Sequence, residues 1–102
     1  MTPLGYLAHV FTGALLCNAI PHLTSGLQGR PFPTPFATPR GVGDSSPLLN
    51  VVWGLLNLFG GLCLLLTHPV SQLGVGLALV ALGALAIGVY LALHFGKVQR
   101  SM

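Results

Sequence analysis

The stretch LLNVVWGLLNLFGGLCLLLTHPVSQLGVGLALVALGALAIGVYLALHF, residues 48–95, contains no Asp, Glu, Lys or Arg. A run of that kind cannot coat a water-soluble domain, where about one residue in four is charged. About 20 apolar helical residues cross the hydrocarbon core of a bilayer, so the run is long enough for two spans. Thr67-His68-Pro69 marks the break between them, because proline ends a helix. The spans are expected over about 47–66 and 71–95. Ser46 is a suitable N-cap and Pro47 suits the first helical position, where its missing N–H leaves nothing unpaired. Gly96 is placed as a C-cap, with Lys97 near the negative helix end. The short turn from Thr67 to Val70 predicts an antiparallel hairpin of these two helices.

Towards the N-terminus, a further apolar segment over about 4–20 carries His9, Thr12 and Asn18 and is expected to be the first span. It lacks a basic n-region, and Cys17-Asn18-Ala19 is a poor cleavage match, so it is expected to be a retained helix and not a leader. The fold class is therefore an all-α integral membrane protein: three transmembrane helices in a single domain, with a long ordered Pro/Gly-rich loop over 21–46. The composition agrees, with 53% hydrophobic residues, 5% charged residues and 14 Gly, the small-residue usage of packed membrane helices. Cys17 and Cys63 fall near opposite faces in this topology and are expected to pack as small apolar residues.

Arg30 and Arg40 lie in the loop, and Lys97 and Arg100 follow the last span; Asp44 is the only acidic residue. Three spans put the loop and the C-terminus on one side. The positive-inside rule makes that side cytoplasmic and the N-terminus external, in a bacterial-type inner membrane. Four cations are too few for a nucleic-acid surface, which needs a clustered basic face. They support at most a preference for anionic lipid headgroups.

The loop, PHLTSGLQGRPFPTPFATPRGVGDSS, is too long to be a simple connection. Leu23, Leu27, Phe32, Phe36 and Val42 argue for a segment held against the helices or the membrane surface, and its prolines favour extended backbone. Residues 40–46 run straight into the second helix. Converging N–H groups at a helix N-terminus, with Arg30 and Arg40 close in sequence, suit an anion. Turn and cap chemistry accounts for the same residues. Asn18, His22, Arg30, Arg40, Ser45, Ser46 and Asn50 are thus the candidate ligand- or headgroup-binding group. No lysine stands in phosphate-loop spacing.

Within the spans, Asn50, Trp53, Gly54, Asn57 and Gly61 form one helical stripe. Asn57 lies near mid-membrane and must face another helix or a wet path. Ala84, Gly88, Ala92 and Gly96 repeat every four residues as a small-residue packing face. His22 and His94 sort to the inner depth, His9 and His68 to the outer. The inner pair would be the ligands if haem were bound. There is no C-x-x-C-H and no metal-ligand motif, and no cofactor is expected.

A single carboxylic side chain excludes acid–base pairs, di-metal carboxylate sites and an intramembrane carboxylate for proton coupling. The leading expectation is a non-enzymatic helix-packing or interaction unit that self-assembles or joins a larger membrane complex. Two alternatives stand beside it. One is a small oligomeric channel or transporter lined by Asn50 and Asn57; the other is a haem- or lipid-binding membrane enzyme using His22 and His94.

Overall fold

The computed structural model of the protein describes residues 2–71 and 73–101. Three helices, α1 (Pro3–Leu27), α2 (Pro47–Thr67) and α3 (Leu73–Arg100), are joined by a loop that contains a two-residue antiparallel ladder. Its strands are β1 (Phe32–Pro33) and β2 (Asp44–Ser45), paired Phe32 to Ser45 and Pro33 to Asp44. All three helices are long and apolar enough to cross a membrane. The 21 residues of α2 extend about 30 Å, the thickness of a hydrocarbon core.

The boundaries follow from caps, and two of them differ from expectation. Thr2 Oγ1 accepts from the Gly5 N–H at 3.1 Å and opens α1. The helix does not stop at Ile20. It continues through Pro21 to Leu27, so the first part of the expected 21–46 loop is helical. Tertiary contacts hold this last stretch: His22 is bonded to α2, and Gly26 lies so close to Pro47 and Val51 that a Cβ there would come within 2.7 Å of the Pro47 carbonyl oxygen. The real stop is Gly29. Its φ is +74°, its N–H bonds to Gly26 O at 3.0 Å and the Arg30 N–H bonds to Ser25 O at 2.9 Å. That pair of bonds is a Schellman ending, followed by Pro31. Ser46 caps α2 as expected, its hydroxyl accepting from the Leu49 N–H at 3.1 Å. α3 begins at Leu73, the expected start near Ser71 abutting Gln72, which lies outside the described residues. It also runs past Gly96, placing that glycine inside the helix.

The order of packing is the main departure. α1 lies against both α2 and α3, whereas α2 and α3, though joined by a short turn, barely touch. The expected hairpin therefore gives way to an arrangement with α1 as the shared partner. Glycines decide it. On α2, Gly54 receives Leu23 and Gly61 receives Leu16; a Cβ at either glycine would stand 2.7 Å from the leucine side chain. On α3, Gly83 lies against the Val10 carbonyl, and reciprocally Gly13 of α1 lies against the Val80 carbonyl. Removing the Cβ lets backbones approach, the usual means of helix association where lipid is as apolar as the side chains.

The expected stripe of Ala84, Gly88 and Ala92 is not this face. Ala84 is half-buried beside Gly13, Gly88 is loosely placed near Cys17, and Ala92 is exposed. A four-residue step overshoots a 3.6-residue turn by about 40°, so the stripe winds away from α1. Gly76, Gly83 and Val98 keep to the buried face.

Gly83→Leu is expected to overlap the Val10 backbone and to cost about 1–3 kcal/mol or more. Gly74→Ala, with nothing within 4 Å of the added methyl, serves as the neutral control. Thermal unfolding in detergent should separate the two; equal melting temperatures would show that the α1–α3 approach is not close.

Candidate functional site

The loop is held to α2 by one carboxamide. Asn50, on the first turns of α2, is fully buried. Its Nδ2 donates to Phe32 O at 2.9 Å, Ser46 O at 3.0 Å and Ser45 O at 3.2 Å. An atom facing carbonyl oxygens must be the amide nitrogen, so Oδ1 faces His22, 2.8 Å from its Nδ1. Nδ1 is then the donor. In the neutral imidazole this leaves Nε2 unprotonated, with a free lone pair. The sequence places His22 and Asn50 at one depth; the structure makes them partners.

A second organiser is Thr34, 1% exposed, whose hydroxyl lies 2.6 Å from Ser45 Oγ and accepts from the Phe36 N–H. Its carbonyl takes the Ala37 and Gly41 N–H groups at 3.1 and 2.9 Å. Gly41, at φ +67°, in turn offers its own carbonyl to His94 Nε2 at 2.7 Å. A carbonyl only accepts, so His94 Nε2 is the donor. This bond ties the loop to the C-terminal end of α3. Arg30, Arg40, Lys97 and Arg100 consequently belong to the same end of the molecule.

Between the splayed α2 and α3, under this loop, lies a cavity of about 140 Å³. Asn18 and His22 of α1 form one wall; Trp53 of α2 and Tyr90 and Phe95 of α3 flank it, and Pro33, Thr34 and Pro35 cover it. The aromatic rings meet edge to face: His22 lies 5.5 Å from Phe32 and 6.5 Å from both Trp53 and Phe95. Phe36 stands perpendicular to Trp53 at 5.0 Å, and Tyr90 stacks on His94 at 5.7 Å. Asn18 Nδ2 donates to Asn57 Oδ1 at 2.9 Å, and Asn57 Nδ2 donates to Trp53 O at 2.8 Å. Asn57 is thus spent between helices, and Asn18 keeps its Oδ1 as an acceptor.

The candidate residues separate into distinct roles. His22, Ser45, Ser46 and Asn50 come together, with Ser45, Ser46 and Asn50 occupied in holding the loop, while Asn18 bonds to Asn57. Arg30 and Arg40 are exposed. The outer histidines behave differently from the inner ones. His9 is sealed between α1 and α3, against Gly76, with both ring nitrogens unpartnered among the described residues, while His68 bonds to the neighbouring Thr67 hydroxyl. Thr34, Gly41 and Tyr90 are the site residues that sequence reasoning missed. Tyr90 and His94 at helical spacing were a usable signal; nothing local marks Thr34 among its prolines.

Haem does not fit between His22 and His94. The cavity of about 140 Å³ is well under the 300–1,000 Å³ that ligands of drug size require, which leaves no room for a macrocycle. Among the described residues no three His, Cys, Asp or Glu side chains gather as a metal site.

Replacing Asn50 by Asp keeps the shape but turns the amide nitrogen into an acceptor facing carbonyls. The expected loss is about 2 kcal/mol or more, with the loop released. Limited trypsin digestion should cut after Arg40 markedly faster in Asn50→Asp than in the wild type; an unchanged rate would mean that the loop is held by other contacts. Comparisons with protein-family models, with curated proteins and with solved structures find no match to this chain.

Proposed function

We propose that this protein is a membrane-embedded binding protein that takes up a small, mostly apolar molecule in the cavity between α2 and α3. One observation carries this proposal. The His22 ring, 98% buried, is held by Asn50 through Nδ1, its Nε2 has no hydrogen-bond partner among the described residues, and the ring lines that cavity. Polar groups in a bilayer are expensive and are kept where they have a use.

The self-assembling or complex-joining unit remains the second reading. Its support is Ala92, exposed on the side of α3 turned away from α1, together with Gly88 half-buried one turn before it. Small residues of this kind suit close approach of a further helix. Asn50 and Asn57 are consumed by internal bonds, which leaves the channel alternative without its lining.

In this proposal the loop end faces the cytoplasm of a bacterial-type inner membrane and the N-terminus lies outside. The cationic end made by Arg30, Arg40, Lys97 and Arg100 supports that orientation and a preference for anionic headgroups.

Ile87 lines the cavity from α3. Ile87→Trp should fill the space and abolish the rise in melting temperature that a panel of single-ring and short-chain apolar compounds gives the wild type. A ligand at 100 times its Kd stabilises by about 2.7 kcal/mol, enough to read. A panel without effect on the wild type would refute the binding role. For orientation, a cysteine introduced at Val42 in a background lacking Cys17 and Cys63 should resist membrane-impermeant maleimide in intact cells and react after lysis; labelling in intact cells would reverse the topology.

A further inference from the structure

The lining of the cavity restricts its ligand further, on the premise that it binds one. Its volume of about 140 Å³ is that of a space holding one six-membered ring, since an engineered 150 Å³ cavity binds benzene. The walls offer flat surfaces: Trp53, Tyr90, Phe95 and two prolines. On the α1 wall the polar atoms left over are acceptors. In the neutral ring His22 Nε2 carries a lone pair, since Asn50 fixes the proton on Nδ1, and Asn18 presents Oδ1 because its Nδ2 is given to Asn57. Among the described residues, the ring and indole nitrogens sealed without a partner belong to His9 and Trp53; His22 Nε2 is not one of them.

We infer that the cavity recognises a phenol: a single aromatic ring whose hydroxyl donates to His22 Nε2, with the Asn18 oxygen as the second acceptor within the same lining. A ring without a donor leaves these acceptors dry and unpaired, which buried polar groups resist. An anionic ligand is disfavoured for the same reason, since acceptors face it. The phenolic ring has two possible sources, a free monocyclic phenol or the ring of a membrane-dissolved lipid with an apolar tail. Tyr90, 58% exposed at the cavity wall, marks a side on which a tail would leave towards lipid.

Trp53 is the only tryptophan, so its fluorescence reports on the cavity alone. The full chain in nanodiscs would be titrated with phenol, anisole and toluene, each at matched concentration in the bilayer. Phenol should give a saturable change at least about tenfold tighter than anisole, which has lost its donor, and than toluene. The non-protonated Nε2 resonance of His22 in ¹⁵N-histidine-labelled protein should move towards the protonated range with phenol alone. This second readout needs no substitution, so a misfolded His22 variant cannot obscure the result. Three compounds binding equally, with the Nε2 resonance unmoved, would overturn the phenol assignment and leave the binding role standing. No saturable change with any of them would overturn both. With phenol confirmed, tighter binding of 4-hexylphenol at equal bilayer concentration identifies a tailed membrane lipid as the source, and equal or weaker binding a free phenol.

Discussion

The junction of the loop with α1 and α2 depends on the side chain of Asn50. A carboxamide at the start of a membrane helix has two N–H bonds and one oxygen to satisfy, and water is scarce. Asn50 meets this by donating towards three loop and cap carbonyls and accepting from His22. One residue thereby closes the loop, orients an imidazole on α1 and selects its tautomer. In a low-dielectric setting such bonds are strong when complete and costly when partial. That asymmetry explains why a Pro-rich segment stays ordered with so short a ladder to support it.

The helices supply the complementary constraint. Hydrophobic burial drives helices together in water but gives little in lipid, so close association rests on backbone approach at glycines. α1 uses this on both sides, with Gly13 and Gly83 meeting one flank and Leu16 and Leu23 seated on Gly61 and Gly54 at the other. Once both flanking helices have turned their glycines to α1, little remains to pull them onto each other. The space between them is then a consequence of where the glycines point. The loop covers that space, and the aromatic residues of α2 and α3 flank it.

Parts of this arrangement were legible residue by residue. The uncharged run from Leu48 to Phe95, the Ser46-Pro47 start of α2 and the common depth of Asn18, His22, Asn50 and His94 are local or periodic signals. Others were read past. Pro21 looked like a stop, yet the helix runs on because His22 and Gly26 are gripped by α2; the effective punctuation was Gly29. The four-residue repeat at Ala84, Gly88 and Ala92 looked like the packing face, although Gly76 and Gly83, seven residues apart, match the helix period better. Thr34 carries no sign in the sequence, because its importance comes from Ser45, Ala37 and Gly41 converging on it.

The sequence by itself determined the solvent this chain folds in and the number and placement of its long apolar helices. These depend on composition and on length against bilayer thickness, quantities that add along the chain. It also determined the gathering of cations into the loop and the C-terminal segment. Tertiary structure alone decided which polar residues are spent and which remain available. Asn57 and Asn50 are absorbed into helix–helix and loop bonds, while His22 keeps one lone pair beside a cavity. That difference is a matter of pairing across distant segments at a few ångströms, and pairing of that kind cannot be read from spacing along one chain.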